Sequence, residues 1–124
     1  GEKLALISVG DTLPMVTEIY HNLQTVGHNP WLINLRSIKP LDTTLLDELA
    51  KKCKHIFTFE TNSIIGGIGA TITQLLTDSP TRVYNYGYPD HFVAHGKVSE
   101  LNQQLGLTAE ALTSKILQHL PPKK

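Results

Sequence analysis

Four sets of side chains in this 124-residue sequence are of types that could do chemistry. The first is a pair of carboxylates, Asp11 and Glu60, each just past or at the end of a short apolar run (Leu4 to Val9 and His55 to Glu60). In an open α/β sheet, ligands favour the crevice beyond the carboxyl ends of the strands, at the point where the winding reverses. If the two runs are neighbouring strands, Asp11 and Glu60 line one such crevice, where two carboxylates could share a proton or hold a cation. Carboxylates that end strands and cap helices are also ordinary, and the structural account of this pair is the preferred one.

The second set is Gly66, Gly67 and Gly69, within Gly66-Gly67-Ile68-Gly69. A helix starting there would turn its free N–H groups and positive dipole end toward an anion. A dinucleotide fingerprint needs another glycine three residues after Gly69, where Ile72 stands, and no Gly-Lys-Ser/Thr phosphate loop is present. The glycines are therefore expected to let a helix lie close to the sheet or to a partner chain. The third set is Asp90-His91-Phe92-Val93-Ala94-His95-Gly96, with histidines four apart and a carboxylate beside the first. That spacing could hold zinc on a helix. However, Pro89 and Gly96 bracket too short a stretch, Phe92 stands where a metalloprotease glutamate would follow His91, and no third ligand is evident. Polar contacts at a domain interface are expected for Asp90, His91 and His95.

Cys53, the single cysteine, lies among Lys51, Lys52 and Lys54. Neighbouring lysines can lower a thiol pKa, but no histidine base is placed to use it, so a half-buried residue at a helix end is expected. One cysteine excludes an internal disulfide and suits a reducing, cytoplasmic setting. No Gly-x-Ser-x-Gly elbow and no Ser-His-Asp order is found. Trp31 reads as a core residue.

The elements that must position these groups alternate. Leu4 to Val9, Trp31 to Leu35, His55 to Glu60 and Arg82 to Tyr86 read as strands, the first apolar throughout as in a strand covered on both faces. After Gly10, Asp11 or Thr12 can cap a helix with Pro14 in its first turn, Met15, Ile19, Leu23 and Val26 on its inner face and Gly27 past its end. Asp42 is a candidate cap for a helix from about Thr43 to Lys52, with Leu45, Leu46 and Leu49 inward. Its outer Asp47 and Glu48 precede Lys51 and Lys52 by four residues, the spacing of charge pairs. A helix with Ile72, Leu75 and Leu76 on one side follows the glycines. Two short helices, Val98 to Leu105 and about Thr108 to Leu120, close the chain before a solvated tail at 121–124. Alternating strands and helices predict an α/β fold: a three-layer α/β/α sandwich on a mainly parallel sheet of about four strands.

Bulk properties fit a single globular domain over 1–124. Hydrophobic residues are 40% and charged residues 18%, which excludes a disordered chain. Eleven basic residues balance eleven acidic ones, leaving no basic footprint for nucleic acid or an anionic membrane. No apolar run approaches the roughly 20 residues of a membrane span. Gly1 in place of a methionine suggests a piece of a longer protein.

Three blocks, in order, resemble one family. Leu35-Arg36-Ser37-Ile38-Lys39-Pro40-Leu41-Asp42, then Glu60 with Gly66-Gly67-Ile68-Gly69-Ala70, then Tyr88-Pro89-Asp90-His91-Phe92-Val93-Ala94-His95-Gly96 with Leu101 and Leu105-Gly106-Leu107-Thr108 are similar to the C-terminal domains of transketolase-type thiamine-diphosphate enzymes. The ending is most similar to the 1-deoxy-D-xylulose-5-phosphate synthase branch, which joins pyruvate and glyceraldehyde 3-phosphate with loss of carbon dioxide. Ser37 and Thr61-Asn62-Ser63 depart from that branch, so transketolase itself and pyruvate dehydrogenase-type β-subunits stay open as alternatives. The resemblance implies that thiamine diphosphate and its magnesium lie between the two domains preceding this one, and that this chain carries no catalytic, cofactor-binding or metal-binding residue. It implies a scaffold that packs on those domains and supports a homodimer; the family's antiparallel edge strand lies ahead of Leu4, and this sequence is expected to start too late to include it. Two readings from other classes remain: an independent anion- or small-ligand-binding module at the helix starts near Thr12 and Gly67, and a self-standing enzyme using Asp11 and Glu60.

Overall fold

The computed structural model describes residues 3–35, 43–61, 68–88 and 108–120. Strand β1 (Leu4–Val9) has all six side chains buried, the expected fate of an uninterrupted apolar run between two layers of helices. It is followed by a single 3₁₀ turn, Gly10–Thr12, and helix α1 (Leu13–Thr25). Then come β2 (Trp31–Leu35), α2 (Thr43–Lys52), β3 (His55–Thr61), α3 (Ile68–Leu75), β4 (Arg82–Tyr88) and α4 (Ala109–His119). The strand order is β2-β1-β3-β4 and every pairing is parallel. The expected α/β/α architecture is therefore present, with a sheet that is wholly parallel across the described strands.

Alternation along the strands divides the core in two. Leu4, Leu6, Phe57 and Phe59 face Val16, Ile19 and Leu23 of α1 and Ala109, Leu112 and Ile116 of α4. Ala5, Ile7, Val9 and Ile56 face the opposite way, against Leu46 and Leu49 of α2, Ile72 of α3, Leu76 and Cys53. Register aligns these faces: Leu6 lies opposite both Leu32 and Phe57, and Phe57 lies opposite Tyr84.

Helix ends follow local chemistry. At the end of α1, His28 N donates to Leu23 O (3.0 Å) and Gly27 N to Gln24 O (3.1 Å). This two-bond closure requires a left-handed residue, and Gly27 supplies it at φ 95°. At the start of α4, Thr108 Oγ1 accepts from Ala111 N at 3.1 Å.

Several expectations about facing are corrected. The inward stripe of α1 runs through Val16, with Met15 at its margin, and Val26 is 49% exposed because it is the C-cap, where the chain turns away. On α3 the stripe is Ile72 and then Leu76, which turns Leu75 outward at 49% exposure. Trp31 is 37% exposed, not core, because it opens the edge strand β2; Lys52 Nζ lies 5.3 Å over its ring. Strands β3 and β4 run on to Thr61 and Tyr88, paired with each other at their ends. Among the described residues no ion pair joins Asp47 or Glu48 to Lys51 or Lys52, in keeping with the small gain of exposed pairs. The cap Asp42, the helix expected over Val98 to Leu105 and the tail lie outside the described residues.

An aromatic row crosses the α1/α4 face at the β3–β4 junction. Phe57 and Tyr84 stack at 4.8 Å, and His119 of α4 lies 4.2 Å from Tyr84. His55 stacks on both Phe57 (6.5 Å) and Tyr84 (6.1 Å), and its Nδ1 is buried without a hydrogen-bond partner. Burial pushes the His55 pKa below the ordinary histidine value, and the charges of Arg82, His119 and Lys54 push it the same way. The unfolded chain, at about 6.5, then binds the proton before the folded one does. Stability from neutral His55 is fully present above about pH 6.5 and falls as pH drops through the lowered folded value. Thermal melts should therefore show a lower Tm at about pH 5.5 than at about pH 7.5, and His55→Phe should shrink that difference. An undiminished difference in the variant would assign the pH response to other groups.

Candidate functional site

The sheet order sets where a site would lie. From β1 the chain crosses to β2 on one side and then returns past β1 to β3 on the other. The winding thus reverses between β1 and β3, and the crevice at their carboxyl ends is the position favoured for ligands. Ser8 pairs with Phe59, so Glu60 stands beside the end of β1 and the turn carrying Asp11 lies just beyond. The backbone of Asp11 and the residue Glu60 are brought to the same edge; the Asp11 side chain lies outside the described residues.

Glu60 is engaged from within the chain. Its Oε2 accepts from the backbone N of Gly69 at 3.4 Å, at the first turn of α3. A carboxylate there complements the positive end of the helix dipole. The anion that a glycine-rich helix start could take from solution is thus supplied by the end of β3.

Gly69 has a steric reason to be glycine. A Cβ on it would lie 2.6 Å from Asn85 Oδ1 and 2.8 Å from Thr58 Oγ1. Its absence lets α3 sit directly on a polar chain across two strands. Thr58 Oγ1 donates to Asn85 Oδ1 (2.6 Å), Asn85 Nδ2 donates to Thr73 Oγ1 (2.9 Å), and Thr73 Oγ1 donates to Gly69 O (2.9 Å).

The tightest polar knot of the crevice lies at its base. Thr12 Oγ1 is 2.7 Å from Ser8 Oγ, accepts from Val9 N at 3.1 Å, and reaches Val9 O and Phe59 O, both at 3.1 Å. A hydroxyl has one proton and two lone pairs, so the two carbonyls share its donor while Val9 N–H and the Ser8 hydroxyl fill its acceptor positions. Thr12 is 1% and Ser8 0% exposed, so these partners replace water entirely. Thr12 holds the N-cap position of α1 without capping it, because its oxygen points back into this knot.

Cys53 is buried beside α2, not half-buried, and burial pushes its thiol pKa up against the opposing pull of Lys52. Desolvation outweighs the lysines, which leaves a protonated, unreactive thiol at neutral pH. Thr81 Oγ1 fastens the neighbouring backbone, donating toward Cys53 O (2.8 Å) and Ala50 O (2.9 Å). Gly66, Gly67, Asp90, His91 and His95 lie outside the described residues. Among the described residues, no three His, Cys, Asp or Glu side chains gather as a metal site would require. Sequence reasoning missed Thr12, Asn85 and Thr81. For Thr12 the available signal was Ser8, a hydroxyl inside an otherwise apolar strand.

The family described as "Transketolase, C-terminal domain" matches residues 1–112. A 1-deoxy-D-xylulose-5-phosphate synthase of Chlorobaculum tepidum is 38% identical over 125 residues, covering 99% of this chain and 20% of that protein. The enzyme of the same name from Caldanaerobacter subterraneus subsp. tengcongensis is 37% identical, covering 95% of this chain and 19% of that protein. Among solved structures, a split-gene transketolase described as an inactive beta4 tetramer superposes with a TM-score of 0.79 at 26% identity, over 95% of this chain and 39% of that one. The transketolase of Campylobacter jejuni shares the fold, with a TM-score of 0.61 at 17% identity over 94% of this chain and 17% of that one. The chain spans about a fifth of the length of the curated relatives it matches.

The Thr12 knot gives a direct test. Thr12→Val keeps the shape but strips the hydroxyl from a Val9 N–H and a Phe59 carbonyl that water cannot reach. Urea unfolding should report a loss of about 1–3 kcal/mol, the scale of buried groups left unpaired. A change near zero would mean that the knot adds nothing to stability.

Proposed function

The chain belongs to the transketolase C-terminal domain family, and from that premise we propose that it is the structural, non-catalytic C-terminal domain of a thiamine-diphosphate-dependent transferase, a 1-deoxy-D-xylulose-5-phosphate synthase. The observation that carries this reading is a match running over almost the whole chain to one terminal fifth-sized portion of enzymes that all bear that name. Residues 1–124 form one such domain. The parent enzyme is a cytoplasmic homodimer that joins pyruvate to glyceraldehyde 3-phosphate with release of carbon dioxide. Thiamine diphosphate with magnesium supplies the decarboxylation chemistry there, held by the two domains that precede this one.

What supports placing the cofactor in those domains is that the described residues gather no three His, Cys, Asp or Glu side chains. The amide of Gly69 is taken by Glu60. No step of the reaction is therefore routed through them. What these residues do instead is hold shape: Thr12 ties β1 to β3, and Gly69 seats α3 on the sheet. The contact surfaces toward the preceding domains and the second subunit are the glycine segment Gly66, Gly67 and Gly69, the stretch holding Asp90, His91 and His95, and the adjoining edge with Asp11 and Glu60.

Reconstitution tests the reading. This chain is combined with the preceding cofactor-binding portion of its parent, or joined to it as one polypeptide, and carbon dioxide release from pyruvate plus glyceraldehyde 3-phosphate is followed. Activity should need both parts and thiamine diphosphate, and this chain alone should give none. Turnover only with ketose donors would make the parent a transketolase. Full activity of the preceding portion without this chain, or turnover by this chain alone, would contradict the scaffold role.

A further inference from the structure

The opposite edge of the sheet, at the amino ends of the strands, carries a concentration of positive charge that the scaffold role does not use. A recess of about 430 Å³ opens there, lined by Lys3, Lys51, Lys52, Lys54 and Arg82 around a base that includes Cys53 and Thr81. Among the described residues no Asp or Glu lines it. Five of the chain's eleven basic residues contribute to the lining, although the whole sequence carries no net charge.

Backbone register produces the cluster. Leu4 pairs with His55 and His55 with Arg82, so Lys3 and Lys54 sit side by side at the starts of β1 and β3, with Arg82 at the start of β4. The junction is sewn together: Lys54 N donates to Lys3 O (2.9 Å) and Arg82 N to Lys54 O (2.9 Å). Thr81 Oγ1 then ties the segment to the end of α2 through Ala50 O and Cys53 O. Lys51 and Lys52 have a partial structural account, since they lie in the last turn of α2, where cations suit the helix dipole. Lys52 also covers the Trp31 ring. That account does not reach Lys3, Lys54 or Arg82, and none of the five is in an ion pair among the described residues.

We infer that this recess is an anion site for a small molecule bearing two or more phosphate groups. Its volume falls within the roughly 300–1,000 Å³ of small-ligand pockets, so it suits one compact ligand. Lysine ammonium groups are flexible point charges that bind phosphate from several directions, and the arginine adds a planar fork. Several basic residues around one recess, with no carboxylate among the described lining residues, favour a ligand of multiple charge over a single carboxylate. The site lies at the opposite edge of the sheet from the starts of α1 and α3, where the Gly69 amide donates to Glu60.

The test titrates pyrophosphate, and separately inorganic phosphate, into this chain at ionic strength held constant with sodium chloride, with backbone amides followed by NMR. Pyrophosphate should shift the amides of Lys3, Lys54 and Arg82 saturably and bind more tightly than phosphate. Lys54→Glu, an exposed position, should weaken it about tenfold, while Lys115→Glu, outside the lining, makes the same change in net charge and should hold it within about twofold. Three results would each overturn the inference: no saturable shift beyond that of sodium chloride, shifts confined to Gly10–Leu13 and Ile68–Ala70, or equal weakening by both variants.

Discussion

Everything in this domain hangs on the parallel junction of β1 and β3. These are the two interior strands, and they meet where the winding reverses. Being covered by helices on both faces, they can be almost wholly apolar, but every polar group that ends up between the layers must find its partner inside the protein. Thr12 answers that demand with one hydroxyl, which joins the end of β1 to the carbonyl of Phe59 and to Ser8. The turn that carries Thr12 starts α1, so the same contact fixes where the first helix leaves the sheet. Glu60 does the parallel service for α3 one residue further along β3. Two helices on opposite faces are thus registered against the same strand ends.

This arrangement engages the described polar groups of the edge that usually hosts a ligand. The carboxyl-end crevice has the right topology, but its described polar groups are directed at one another. Glu60 is turned to a helix amide and Thr12 to the backbone of both strands. A group committed to an internal hydrogen bond in a buried setting is costly to release, which agrees with the proposed scaffold role. The family to which the chain belongs is that of transketolase C-terminal domains. The amino-end recess with Lys3, Lys54 and Arg82 is the opposite case, with no carboxylate among its described lining residues.

Much of the architecture was legible in the sequence because the signals were long and redundant. The apolar run Leu4 to Val9, the alternating strands and helices, Gly27 beyond α1 and the closing helix from about Thr108 each reflect a local rule that tertiary packing did not override. What failed was the assignment of single side chains to faces. Val26, Leu75 and Trp31 are apolar at plausible spacing, yet each falls at an edge: a C-cap, the far shoulder of a helix stripe and the first residue of an edge strand. Spacing gives a helix its stripe only to within one residue, and the sheet decides which neighbour wins. The site was half legible. Asp11 and Glu60 could be placed at one edge only on the condition that their strands are neighbours, whereas the knot around Thr12 depends on a contact with Phe59, 47 residues away, that no local pattern encodes. For Cys53 only the depth was misjudged, half-buried against fully buried, because burial is not visible in the sequence.

The most direct measurement is amide hydrogen exchange at Val9, whose N–H donates to Thr12 Oγ1 at the end of β1. Strand ends ordinarily fray and exchange faster than strand centres. If the β1–β3 junction is what the fold depends on, the Val9 amide should exchange only on global opening, with protection equal to that of Leu6 and Phe57 at the centre of the sheet. Protection at Val9 far below theirs would mean that the junction opens on its own, and the account of the domain as built around it would be wrong.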